Sequence, residues 1–147
     1  MNSVIFDIDG TLADCEHRRH FIATKPKNWP AFFKAMHKDT VIENIAIYAR
    51  HYYENTELKV IIVTARPNDY SDITIKWLSE NNIKFDEIFF RSEKDSRDDA
   101  IVKAEILEKI REKGYNPIRV YDDRPKVIRM WKQKGLEVID CGKGIEF

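Results

Sequence analysis

Apolar and polar positions along this chain fall into two alternating textures. Short runs rich in β-branched and aromatic residues recur at Ser3 to Ile8, Leu58 to Thr64, Asp86 to Phe90, Ile118 to Asp122 and Leu136 to Asp140, and each is strand-length. Between them the apolar residues return at helical spacing. Ile73, Trp77 and Leu78 follow an Arg66-Pro67-Asn68-Asp69 turn and stop near Asn81-Asn82. Ile101, Val102, Ala104, Ile106, Leu107 and Ile110 mark a long helix from Asp98 to Lys113, ended by Gly114. Pro125 opens a last helix through Val127, Ile128, Met130 and Trp131, ended by Gly135. Strands alternating with helices predict a parallel sheet covered on both faces, an α/β chain of three layers.

The longest connection lies between the first two strands. It holds a short amphipathic piece around Glu16 to Ala23, a break at Thr24-Lys25-Pro26-Lys27, a second piece from Pro30 to Lys38, and a helix from about Ile42 to Glu54. This predicts a single domain over residues 1–147 carrying a small helical insert at about residues 15–40. A length of 147 residues fits one core and is too short for two.

Composition narrows the class. With 43% hydrophobic and 34% charged residues and no long apolar run, no membrane span is expected. The N-terminus lacks the order of a signal peptide, which leads us to expect a cytoplasmic protein. Cys15 and Cys141 are far apart and without metal-ligand spacing, as free thiols in a reducing compartment would be. The net charge is zero, but from Cys15 to Lys38 the cations Arg18, Arg19, Lys25, Lys27, Lys34 and Lys38 face Glu16 alone. Such a basic stretch suits an anionic substrate.

The chemistry begins at Asp7-Ile8-Asp9-Gly10-Thr11, directly after Val4-Ile5-Phe6. A strand delivers both carboxylates to its carboxyl end on one side, sends Ile8 the other way into apolar packing, and lets the backbone turn at Gly10. Two close carboxylates call for a cation between them or for divided acid and base roles. Ligands of a parallel sheet bind beyond the carboxyl ends of its strands. There the second strand offers Thr64 and Arg66, the fourth Asp122, Asp123 and Arg124, and the helix after the third carries Lys103. A carboxylate nucleophile, a hydroxyl and cations for phosphoryl oxygens, and further carboxylates for a hard metal are the parts of phosphoryl transfer. His17, His20, His37 and His51 show no metal spacing and read as solvent-facing or capping residues. Trp29, Phe32 and Phe33 suit either the core of a helical cap or a base-stacking surface.

In their order, Asp7-x-Asp9-Gly10-Thr11, Thr64, Lys103 and Asp122-Asp123 resemble the four motifs of the haloacid dehalogenase-like (HAD) phosphatases. Within that superfamily the chain is most similar to the 3′-phosphatase domain of bacteriophage polynucleotide kinase-phosphatases, most densely over Arg91 to Leu107 and Tyr121 to Trp131. The resemblance implies a Rossmann-like fold with the insert as a small cap. It also implies an Mg²⁺-dependent phosphomonoesterase working through an aspartyl-phosphate. By it Asp7 is the nucleophile and Asp9 the acid and base, while Thr64 and Lys103 hold phosphoryl oxygens. Arg18, Arg66 and Arg91 surround the substrate phosphate, with Asp99 supporting the lysine. Asp7, Asp9 and one or both of Asp122 and Asp123 bind the metal. The implied substrate is a 3′-phosphate on a nucleic-acid end. A nucleotide or small-metabolite phosphatase, or a non-catalytic phosphate-binding module, are the alternatives. No G-x-x-x-x-G-K-[ST] segment occurs, so no kinase domain is expected in this chain.

Overall fold

A computed structural model of the chain describes residues 1–144. Its elements run β1 (Asn2–Phe6), β2 (Ala13–Asp14), α1 (His20–Ala23), α2 (Trp29–Lys34), β3 (Thr40–Val41), α3 (Glu43–Asn55), β4 (Lys59–Pro67), α4 (Ser71–Glu80), β5 (Glu87–Arg91), α5 (Asp99–Glu112), β6 (Asn116–Asp122), α6 (Pro125–Gln133) and β7 (Glu137–Asp140). Single 3₁₀ turns at Glu16–Arg18, Met36–Lys38 and Asn68–Tyr70 join them.

The five long strands form one parallel sheet in the order β5-β4-β1-β6-β7. Because β1 leads outward one way through β4 and β5 and the chain then returns to β6 and β7, the order reverses beside β1. A crevice opens at that reversal, at the carboxyl ends. Alternation along β1 feeds both layers. Val4, Phe6 and Ile8 join Val60 and Ile62 against Ala46 and Ala49 of α3 and Trp77 and Leu78 of α4. Ile5 joins Ile61, Val63 and Val120 against α5 and α6, where Ile106, Ile110, Val127 and Trp131 are buried. Each fully buried aliphatic side chain contributes about 1.5–3 kcal/mol relative to exposure, so these two layers dominate the stability of the sheet.

Three local departures from the pattern have physical causes. β4 continues past Thr64 to Pro67, because a residue before proline favours extended backbone and the Arg66 N–H donates to Thr64 Oγ1 at 3.1 Å. The β4–β5 register shifts between Val63 and Pro67, and the helix therefore starts only after the 3₁₀ turn. β6 begins at Asn116, whose N–H donates to the Met1 carbonyl, two residues before the apolar pattern declares it. Finally, β2 and β3 pair antiparallel through Ala13 with Val41 and Asp14 with Thr40. Two-residue strands leave no period to detect, yet this pair clamps the base of the helical segment between them.

Candidate active site

Adjacent strand ends assemble the first carboxylate cluster. Phe6 pairs with Tyr121, and the Asp7 N–H donates to the Tyr121 carbonyl at 3.0 Å, so Asp7 stands beside the Asp122-Asp123 end of β6. The Asp7, Asp122 and Asp123 carboxylates each place an oxygen within 4.8 Å of the others, and all three are buried. Lys103 reaches them from the second turn of α5. Its ammonium donates to Asp7 at 2.9 Å and to Asp122 at 3.0 Å. Thr11 donates to the second Asp7 oxygen at 3.2 Å. Asp122 is fully engaged: one oxygen takes Lys103 and the Trp131 indole N–H at 3.1 Å, and the other takes the Asp123 and Arg124 N–H groups.

Asp123 differs, for its Oδ1 is buried with no hydrogen-bond partner among the described residues. Its carboxylate also occupies the space a Cβ on Gly10 would need, and Gly10 adopts φ +83°, so only glycine serves there. Three carboxylates against one ammonium leave two negative charges uncompensated. Burial and the neighbouring Asp122 push the Asp7 carboxyl well above its ordinary value. Burial pushes Asp123 up to about 6, with Asp122 adding to it. For Lys103, Asp122 and Asp7 outweigh the cost of burial and raise its pKa, keeping it charged. A net charge of two minus signs, hard oxygen donors and one orphaned carboxylate oxygen fit a divalent hard cation such as Mg²⁺.

The second cluster is built differently. Asp9 receives Arg18 at 2.5 Å and Arg66 at 2.7 Å, and Asp39 receives Arg18 through both oxygens at 2.8 and 2.7 Å and Arg66 at 3.3 Å. Two carboxylates thus meet two guanidinium groups. Arg18, Arg66 and Asp39 are buried, while the Asp9 side chain keeps 18% exposure toward the crevice. Arg66 is further fixed by Thr74 at 3.2 Å, and Asp39 by His17 at 2.6 Å and, through its carbonyl, by the Trp77 indole at 2.8 Å. Although burial works against ionisation, Arg66 and Arg18 hold the Asp9 carboxyl well below the usual carboxylate range.

Asp7, Asp9, Arg66, Arg91 and Lys103 line one cavity of about 360 Å³ over the carboxyl ends. Arg91 donates to Asp99 and to the carbonyls of Ala65 and Asp95, and Asp99 also receives Arg124. Asp99 and Lys103 are four residues apart on α5 and therefore share a face. Thr64 is buried within β4, three residues before its end, where its hydroxyl accepts the Arg66 N–H. Arg18 enters the group through Asp9 from its buried position.

Residues 1–145 match the family described as the polynucleotide kinase PNKP phosphatase domain. The chain belongs to that family. As a PNKP-type phosphatase domain, it is similar to a putative bifunctional polynucleotide kinase/RNA ligase of Autographa californica nuclear polyhedrosis virus. The two are 24% identical over 99% of this chain and 20% of the viral protein. It is also similar to a chain in the solved Pnkp1/Rnl/Hen1 complex, at 25% identity and TM-score 0.83 over 99% of this chain and 46% of that one. A haloacid dehalogenase-like hydrolase from Streptococcus pneumoniae shares the fold at 14% identity and TM-score 0.66, over 94% of this chain and 83% of its own. The phosphatase domain thus spans about a fifth of the viral relative and under half of the solved one. It is a phosphatase of the HAD type with the parallel-sheet fold of that superfamily.

Sequence reasoning missed several residues of this candidate site. Asp39 stands just beyond the basic stretch and carries no sequence signal of its own, and Trp131 reads as part of the packed face of its helix. His17 pairs with Asp39, whereas His37 meets the Lys34 carbonyl in a capping position. The basic stretch is also narrower than its charge count. Arg18 is buried in ion pairs and Arg19 pairs with Glu16; of the exposed lysines Lys25, Lys27, Lys34 and Lys38, Lys27 lines the cavity, joined there by Arg97, Arg124 and Lys126. No helix among the described residues is long and apolar enough to cross a membrane.

Proposed function

We propose that this chain hydrolyses phosphomonoesters through an aspartyl-phosphate on Asp7, with 3′-phosphates on nucleic-acid ends as the substrate class. The observation that carries the reading is the pairing of two unlike carboxylates on one cavity: Asp7 beside Lys103 in an undercompensated cluster, and Asp9 two residues on in a neutralised one. An Asp7 oxygen attacks phosphorus, the P–O bond to the alcohol breaks, and Asp9 supplies the proton the alcohol needs. Water then attacks the aspartyl-phosphate and gives its proton to Asp9, releasing inorganic phosphate and restoring Asp7. The arginine pair holds Asp9 ionised, the state the second half uses. In the first half the substrate phosphate competes for Arg66, which raises the proton affinity of Asp9, so that Asp9 takes up a proton from solvent and passes it to the leaving alcohol.

Lys103 and Thr64 steady the phosphoryl oxygens as charge develops on them. Arg66 and Arg91, which line the cavity, meet the incoming phosphate, and Arg18 aligns Asp9 from below. Asp7, Asp123 and the Asp9 carbonyl would hold Mg²⁺, while Asp122 is committed to Lys103 and Trp131. An ion held there would supply the positive charge that the ammonium of Lys103 alone does not, as a Lewis acid toward the substrate phosphate.

The nucleic-acid assignment draws on the polynucleotide kinase and RNA-repair relatives and on the cationic walls of the cavity. Phosphate release from p-nitrophenyl phosphate with Mg²⁺ tests the chemistry. A 3′-phosphorylated oligonucleotide should be hydrolysed far faster than its 5′-phosphorylated counterpart, with efficiency falling as salt rises. Equal rates on oligonucleotides and mononucleotides, without salt dependence, would transfer the assignment to a nucleotide or metabolite phosphatase.

A further inference from the structure

The aromatic residues of the insert divide sharply. Phe32 is buried at 2% exposure, with the Arg18 guanidinium 4.3 Å from its ring centroid, and so packs the insert onto the Asp9 cluster. Trp29, at the start of α2, is 39% exposed. It stacks on Phe33 at 5.7 Å and an interplanar angle of 23°, and meets Phe32 edge-on at 5.6 Å. Phe33 in turn rests on Tyr70, at 5.1 Å, in the turn between β4 and α4. The tryptophan is thereby braced against the sheet's carboxyl end. A single exposed apolar residue is ordinary, but Trp29 and Phe33 line the same cavity as Asp7 and Asp9.

Resting on the nucleic-acid reading above, we infer that Trp29, braced by Phe33, is a stacking platform for the terminal nucleobase of a 3′-phosphorylated strand. The cavity, about 360 Å³, lies at the small end of ligand sites and has the scale of one nucleotide. With the ester phosphate at Asp7, the terminal nucleoside is the part of the substrate that fills the remainder, and its base is the flat apolar surface that an indole face accepts. Every base has a π-face, so the platform is tolerant of sequence and requires the terminal base to be unpaired. A sugar phosphate or a short acid has no planar π-face to stack on the indole. Lys27 holds its ammonium over the Trp29 ring, 5.6 Å from the centroid, and on base stacking this exposed, flexible side chain swings aside to meet the next backbone phosphate.

The test uses wild type, Trp29→Ala and Trp29→Phe on two oligonucleotides with the same 3′-phosphate, one carrying a normal terminal nucleoside and one an abasic terminal residue. Wild type should lose roughly tenfold in kcat/KM, chiefly through KM, when the base is removed, in the range of one stacked base. Trp29→Ala should lose about as much on the normal substrate and little more on the abasic one, and Trp29→Phe should recover most of the difference. Equal hydrolysis of both substrates by wild type, or an equal loss on both in Trp29→Ala, would overturn the platform while leaving the 3′-phosphatase reading intact. Hydrolysis of p-nitrophenyl phosphate with none of either oligonucleotide would overturn both.

Discussion

Two carboxylate clusters sit within a few residues of each other and have opposite electrostatic character. Around Asp9, two aspartates and two arginines balance, and every charged group is paired. Around Asp7, three aspartates share one lysine, and an Asp123 oxygen has no partner among the described residues. Taking charge out of water is tolerable when it is matched, so the first cluster is complete as a protein structure, while the second keeps unmatched negative charge that the proposed Mg²⁺ would offset. Unmatched charge marks where a ligand belongs. Matched charge marks a carboxylate held ionised and in place.

The largest effect that sharpens this contrast comes from Asp7→Asn. Removing the nucleophile should lower turnover on the order of 10⁴-fold or more, while the melting temperature holds or rises because one repelling charge is gone. Phosphate release and a thermal melt on the same preparation check both halves. A variant keeping more than about one per cent of the rate would exclude Asp7 as the covalent site.

Next in size is a pair of substitutions of opposite sign. Asp39→Asn leaves two buried arginines with one carboxylate and should cost about 3 kcal/mol of stability, together with a loss of turnover as Asp9 loses its alignment. Asp123→Asn should instead stabilise the metal-free protein, and Mg²⁺ should raise the melting temperature of wild type but not of this variant. Destabilisation by both would show that the clusters do not differ in the way their charges imply.

A smaller effect follows from pH. Asp7 and Asp123 have folded-state pKa values above their unfolded ones, Asp123 at about 6. The folded form therefore holds extra protons between about pH 4 and 6, and metal-free stability should fall as pH rises through that window. Asp9 has the opposite sign. Its contribution is complete above about pH 4 and is lost only as acid drives its depressed folded pKa. Melting curves with chelator should decline from pH 4 to 6, and Mg²⁺ should flatten that decline. A metal-free melting temperature that rises across the window would refute the crowding of Asp7 and Asp123.

The smallest effect separates surface charge from cavity charge. Lys27→Gln with Lys126→Gln should raise KM for a 3′-phosphorylated oligonucleotide several-fold and reduce the salt slope by about 0.7 for each backbone phosphate no longer neutralised. Lys25→Gln with Lys34→Gln should change both far less, since neither residue lines the cavity. Equal effects from the two pairs would restore the whole basic stretch as the binding surface.

Local pattern was enough for the sheet, its strands and the gathering of candidate residues at their carboxyl ends. Strand periodicity places Asp7 and Asp9 together, parallel topology collects Thr64, Arg66, Asp122 and Asp123 beside them, and α5 brings Lys103 because its spacing from Asp99 is one helical turn. Which charges neutralise which was decided only in three dimensions. Asp39 lies more than thirty residues from Asp7 along the chain and carries no pattern of its own, and it becomes a partner of Arg18 and Arg66 only when the β2–β3 pair closes the insert's base. The same closure buries Arg18 and leaves Trp29 open to the cavity. Hydrogen-bond and ion-pair partners are set by distance in space, and sequence periodicity reports only the face on which each residue stands.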